Sequence, residues 1–231
     1  LREHYRCHPA IIGFCNEKFY NGELIVLTRQ DERHDPLRVF RTVPGNHARD
    51  HLNRREIDVI TGEVFPLCNL KANISEVGIV TPYRAQAEAL KKEPALDGVV
   101  ADTVDKFQGQ ERSTIILSTV DNDISDFADD DHRLNVAVSR AVDQLIVVTS
   151  GNRATRHTSI GDLINYVKYH SMDVRDSSIC SVFDLLYRQY AVARRQTLRR
   201  LKRISQLDSE NLMFGLIEEV LKEEGLVNYA V

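Results

Sequence analysis

Three stretches carry side chains suited to holding a phosphate or a nucleotide. Residues 103–119, TVDKFQGQERSTIILST, set a polar turn, Gln108-Gly109-Gln110-Glu111, against an apolar run. A plain turn needs only the glycine, which reaches positive φ at no steric cost. The two glutamines and the glutamate beside it therefore point to function. Thr81-Pro82-Tyr83-Arg84 directly follows the apolar run EVGIV, and Arg140 sits between the small residues Ser139 and Ala141. A guanidinium so flanked reaches a phosphate without crowding, matches its oxygens in a planar fork and stays charged at any working pH.

Such side chains need a scaffold. Runs rich in β-branched residues recur at 37–43, 76–81, 98–102, 114–120 and 144–149. Most are apolar at consecutive positions, which fits strands buried on both faces of a parallel sheet. Helical patterns lie between them. Asn53 and Glu56 have the spacing of a cap and its N3 partner, ahead of Ile57, Ile60, Val64 and Leu67; residues 84–92 and 133–141 are further helices. Alternating strands and helices predict an α/β fold with right-handed crossovers. In an open sheet of this kind ligands bind at the carboxyl ends of strands, where Thr81–Arg84 and the 103–111 stretch are expected. After Ser150 the pattern turns helical, giving a boundary near residue 172: a sheet domain over 1–172 and a helical extension over 173–231.

The chain has 231 residues, 42% apolar and 28% charged, with 11 Gly and 6 Pro, the composition of a soluble globular protein. No apolar run approaches the roughly 20 residues of a membrane helix. The four scattered cysteines suit reduced thiols in the cytoplasm, and His4, Cys7, His8 and Cys15 match no standard zinc spacing. The net charge of −4 counts mildly against a nucleic-acid partner, although local phosphate contacts need no positive total. The acidic run 121–131 and the basic run 194–203 read as solvated faces.

Four motifs now carry a family resemblance. HYRCHPAIIGFCNEKFYNGEL (4–24), VGIVTPYRAQ (77–86), TVDKFQGQERSTIILSTV (103–120) and RLNVAVSRA (133–141) resemble, in order and spacing, segments of superfamily I helicases of the nonsense-mediated-decay branch. The resemblance implies a RecA-like three-layer domain with a mostly parallel sheet. It is the second, C-terminal motor domain of an enzyme that hydrolyses ATP with Mg²⁺ between two such domains. It further implies that Tyr5 stacks on adenine, that Arg6 and Arg140 reach the γ-phosphate, and that Glu111 contacts the ribose. Gln108 and Gly109 would link nucleotide state to the nucleic-acid track, and Thr81, Tyr83 and Thr103 would touch single-stranded DNA or RNA. Arg133 has a structural or linking role.

No G-x-x-x-x-G-K-[ST] phosphate loop occurs in the sequence. Asp31-Glu32 follows the Y-R-x-H-P segment, whereas the family's acidic box precedes it. The chain is therefore expected to be a fragment, inactive alone, with ATP and Mg²⁺ bound mainly by an N-terminal RecA-like domain. Residues 209–221 resemble a linker to a nuclease-like C-terminal domain, and no D/E-x-K nuclease core is present. The alternative reading is a RecA-like scaffold that binds nucleic acid without catalysis.

Overall fold

The computed structural model of the chain describes residues 3–28, 35–153, 157–181, 184, 189 and 190. The chain divides into two units, Leu1–Ile179 and Cys180–Val231. Asp31-Glu32, the basic run 194–203 and the helix expected over 208–225 lie outside the described residues.

In chain order the first unit holds β1 (Glu3–His4), α1 (Pro9–Phe19), β2 (Ile25–Val26) and β3 (Leu37–Arg41). A short antiparallel ribbon comes next, β4 (Ala48–Arg49) and β5 (Leu52–Asn53). Then come α2 (Arg54–Val59), a π-helical turn (Ile60–Val64), α3 (Phe65–Leu67) and a 3-10 segment (Leu70–Glu76). The rest is β6 (Val77–Thr81), α4 (Arg84–Lys91), β7 (Val100–Thr103), β8 (Arg112–Ser118), α5 (Asp131–Val138), β9 (Ala141–Thr149), α6 (Ser159–Tyr169) and β10 (Asp173–Asp176). One six-stranded sheet runs β10-β3-β9-β8-β6-β7, and every neighbouring pair in it is parallel.

The consecutive apolar runs have a direct explanation. Successive side chains of a strand point to opposite faces, and both faces here are covered. Leu145 and Val147 join a core with Ile11 of α1, Leu134 of α5 and Leu163 of α6. Ile146 and Val148 join a second core with Ile57, Ile60 and Leu90 on the other side. The result is the expected three-layer α/β architecture.

The boundary expected near residue 172 falls inside this unit. β10 pairs with β3 in register Val174↔Val39, and Ile179 packs against the second core. The strand escapes a hydrophobicity reading because it is an edge: Asp173, Arg175 and Asp176 carry the charges that protect an edge from pairing with another chain, and Asp176 pairs with Arg41 at 2.7 Å.

Two helix starts hold the segments that bear polar side chains. Helix α1 starts at Pro9, and His8 caps it by accepting the Ala10 N–H on Nδ1 at 3.1 Å. Helix α2 is half a capping box: the Asn53 side chain accepts the Glu56 N–H at 3.2 Å. The Asn53 N–H, however, donates to Gln86 Oε1 at 2.9 Å, which leaves the Glu56 carboxylate for the core.

Candidate functional site

The sequence-derived residues fall at two opposite ends of the sheet. β8 has seven residues, so those ends are about 20 Å apart at roughly 3.3 Å per residue. The expectation that both polar stretches sit at carboxyl ends therefore holds for Thr81–Arg84 and Thr103 but not for Glu111, while Arg140 lies where the helix before β9 ends. The reason is topological. β7 and β8 run parallel, so residues 104–111 return from the carboxyl end of one strand to the amino end of the other. Phe107, fully buried, fixes the middle of that return by lying on Gly78 of β6, where a Cβ would sit 2.6 Å from its ring. Gln108 and Gly109 are exposed just beyond it, with Gly109 at φ +86°.

At the amino end, Arg112 of β8 is in register with Ala141 of β9, and its N–H donates to the Arg140 carbonyl at 3.1 Å. This brings Glu111 and Arg140 together. Arg6 joins them from the β1–α1 connection, its Nε 2.9 Å from Glu111 Oε2. The Arg140 guanidinium bonds back to the Val136 carbonyl (3.2 Å) and the Ser139 hydroxyl (3.3 Å), not to the acidic loop. Burial first, and then the Arg6 charge, push the Arg140 pKa down from its ordinary value. Two guanidinium groups thus share the field of one carboxylate, a local excess of positive charge.

A pocket of about 680 Å³ opens beside this cluster, lined by Tyr5, Arg6, Tyr20, Glu111, Asn135 and Ser139 among others. The Tyr5 ring is 66% exposed and its hydroxyl donates to the Glu3 carboxylate. His4 and Cys7 tie the loop down: the Cys7 N–H donates to His4 Nε2 (2.9 Å), and the Cys7 thiol lies 3.4 Å from the Ser139 carbonyl. Burial pushes that thiol up to about 12.

At the carboxyl end, Thr81 is fully buried and its hydroxyl has no hydrogen-bond partner among the described residues. Tyr83 is also buried, and its hydroxyl bonds Asp121 (2.9 Å) and Ser125 (2.8 Å). Its ring stacks on His51 at 4.5 Å and on Phe127 at 5.3 Å. Thr103 is half-buried at the end of β7.

Sequence reasoning missed the residues that organise this end. Glu56 is fully buried. Its carboxylate accepts from Ser118 Oγ at 2.6 Å, from Thr119 Oγ1 at 3.3 Å and from the Val120 N–H at 3.0 Å. Gln86 donates to the same Ser118 hydroxyl at 3.0 Å, and the Asn53 amide donates to the Val120 carbonyl at 2.7 Å. Val120 has φ +71°, a conformation that costs a β-branched residue energy and persists only where its surroundings enforce it. The N-x-x-E spacing of Asn53 and Glu56 is the available signal, and in sequence it reads as a helix cap. The acidic run is also not simply solvated. Asp130 caps α5 by accepting from the Arg133 N–H (2.9 Å), and Asp129 accepts from the Ser159 and Ile160 N–H groups (3.0 Å each) at the start of α6.

The parallel sheet covered by helices on both faces is an α/β/α three-layer fold. Residues 1–152 match the family model described as an AAA domain. The chain belongs to that family, and is a C-terminal motor domain of the superfamily I helicase type. The 5'-3' DNA helicase ZGRF1 of Mus musculus is 27% identical over 78% of this chain and 11% of its own length. The RNA helicase Mov10l1 of Mus musculus is 28% identical over 72% of this chain and 17% of its own. The chain thus spans under a fifth of the length of either relative. The C-terminal domain of a possible DNA helicase from Lactobacillus plantarum has a TM-score of 0.48 and 19% identity, over 74% of this chain and 98% of that one. Among the described residues no helix is long and apolar enough to cross a membrane.

Proposed function

We propose that this domain completes the ATP site of an ATP-dependent helicase and grips single-stranded DNA or RNA as the motor steps. The observation that carries this reading is the convergence of Arg6, Glu111 and Arg140, three segments far apart in sequence, beside the exposed Tyr5 ring. These residues fit a nucleotide: an aromatic face for the base, a carboxylate for ribose hydroxyls and two guanidinium groups for a polyanion. Mg²⁺-ATP, held mainly by an N-terminal RecA-like domain, supplies the phosphoanhydride and the cation that offsets its charge. Arg6 and Arg140 stabilise charge on the transferring phosphoryl group, Tyr5 stacks on adenine and Glu111 orients the ribose. Gln108 and Gly109, on the return segment between the two ends of the sheet, link that site to the carboxyl-end rim, where Thr103 is half-exposed to a strand and the buried Thr81 and Tyr83 support the rim from beneath. The 231-residue chain alone is inactive in this account, because it contains no phosphate loop. An intracellular setting and a nuclease-like C-terminal neighbour belong to the same reading.

The Tyr5 role is tested by steady-state kinetics of the helicase carrying both motor domains. Loss of one base-stacking ring costs about 1–3 kcal/mol. Tyr5→Ala is therefore expected to raise KM for ATP by roughly 5- to 100-fold, with kcat within a few-fold of the parent. An unchanged KM would remove Tyr5 from the site.

A further inference from the structure

The family resemblance implies strand contact for Tyr83, yet Tyr83 is the middle of a column rather than its end. Its hydroxyl is held by Asp121 and Ser125, and both ring neighbours stack nearly parallel, at 23° to His51 and 24° to Phe127. The Arg133 guanidinium lies 4.1 Å from the Phe127 ring centre and occupies a face of that ring, although Phe127 stays 46% exposed. The other end is His51, which is exposed, and no further ring lies on it among the described residues.

His51 is also held firmly. It occupies the tip of the β4–β5 ribbon, where Asp50 and His51 both have positive φ, +50° and +61°. The ribbon is tied down by Asn122, whose Oδ1 accepts from the His47 N–H (2.7 Å) and the Ala48 N–H (2.9 Å). Two exposed arginines flank the column in sequence: Arg49 precedes the ribbon tip and Arg84 directly follows Tyr83. A fixed, outward-facing aromatic plate beside cations is the chemistry that holds an unpaired base and its phosphates, and it is indifferent to base identity.

We infer that His51 is a base-stacking plate for single-stranded nucleic acid, with Arg49 and Arg84 taking the neighbouring phosphates. This rests on the helicase reading and adds to it the residues that meet the strand at the rim.

The test is fluorescence anisotropy of the 231-residue chain with a dT 20-mer, a U 20-mer and a 20-mer whose central bases are replaced by abasic sites. The wild-type chain is expected to bind the normal strands roughly 5- to 100-fold more tightly than the abasic one, the range of a single stacking contact. His51→Ala is expected to lose that preference, and His51→Phe to keep it. Arg49→Ala with Arg84→Ala is expected to weaken normal and abasic strands alike and to flatten the salt dependence. A His51→Ala chain that still prefers normal strands by the wild-type factor overturns the inference. So does a wild-type chain with no preference, or with no binding to either strand. The helicase reading itself stands or falls on turnover of the Arg140→Ala enzyme, so the two failures are distinguishable.

Discussion

In the helicase that carries both motor domains, Arg140→Ala is expected to lower ATP turnover by about 10³- to 10⁵-fold, the worth of an arginine that stabilises phosphoryl-transfer charge. The geometry makes this a clean experiment. Arg140 lies in the short connection between α5 and β9, and its backbone carbonyl, which the mutation keeps, accepts the Arg112 N–H that joins β8 to β9. Among the described residues its side chain makes two hydrogen bonds, to Val136 and Ser139, whose loss costs about 1 kcal/mol each. The fold should survive, and the deficit should appear in kcat with KM for ATP moved far less. Arg140→Lys keeps the charge but loses the fork, and should recover only part of the rate. Phosphate release at saturating ATP and single strand is the readout. Turnover within a few-fold of the parent would instead favour a domain that binds nucleic acid as a scaffold without catalysis.

The second large effect concerns stability. Glu56→Ala is expected to destabilise the domain by about 3–5 kcal/mol, a large share of the roughly 5–15 kcal/mol typical of a folded domain. The substitution strands the buried Ser118 hydroxyl and Val120 N–H together, and each unsatisfied buried group costs about 1–3 kcal/mol; Thr119 keeps its bond to the Thr149 hydroxyl at 3.0 Å. It also frees Val120 from one of the two contacts that hold its left-handed backbone. Glu56→Gln keeps an acceptor oxygen and the shape of the site, and should cost much less.

The same residue gives a pH signature. Burial raises the Glu56 carboxyl from an ordinary 4.5 to about 8, against the opposing pull of its hydrogen bonds with Ser118, Val120 and Thr119. Between those values the folded chain binds the proton and the unfolded chain does not, so stability falls as pH rises. The contribution is fully present below about 4.5 and is lost as pH passes about 8. Denaturant midpoints should therefore drop between about pH 5 and pH 9 for the wild type and stay flatter for Glu56→Gln. A wild-type profile no steeper than that of Glu56→Gln would contradict the assignment.

Much of the fold is legible in the sequence because the sheet is buried on both faces. Runs such as Leu145-Ile146-Val147-Val148, short and rich in β-branched residues, fit a doubly covered strand, and parallel pairing then requires the intervening helices. β10 is not legible, since an edge strand carries charge and has no apolar run to betray it. The gathering of Arg6, Glu111 and Arg140 is legible only through the family resemblance. Nothing local to those residues says that the 104–111 segment returns to the amino end of β8. That fact belongs to strand direction. Glu56 is half hidden because a carboxylate three residues after Asn53 has an ordinary use at a helix start. Only the competing bond from the Asn53 N–H to Gln86 shows that the cap is half-built. Tyr83 reads as a surface contact because sequence gives no view of His51 and Phe127 on its two faces.

The most direct test of the central claim, that this chain is half of an ATP site, is ATP hydrolysis by the 231-residue chain alone, with Mg²⁺ and single-stranded DNA or RNA present. The expected result is no turnover above background, because Arg6, Glu111 and Arg140 have no phosphate loop in this sequence to work against. Robust turnover that disappears with Arg140→Ala would contradict it, since the chain would then hold a whole site of its own.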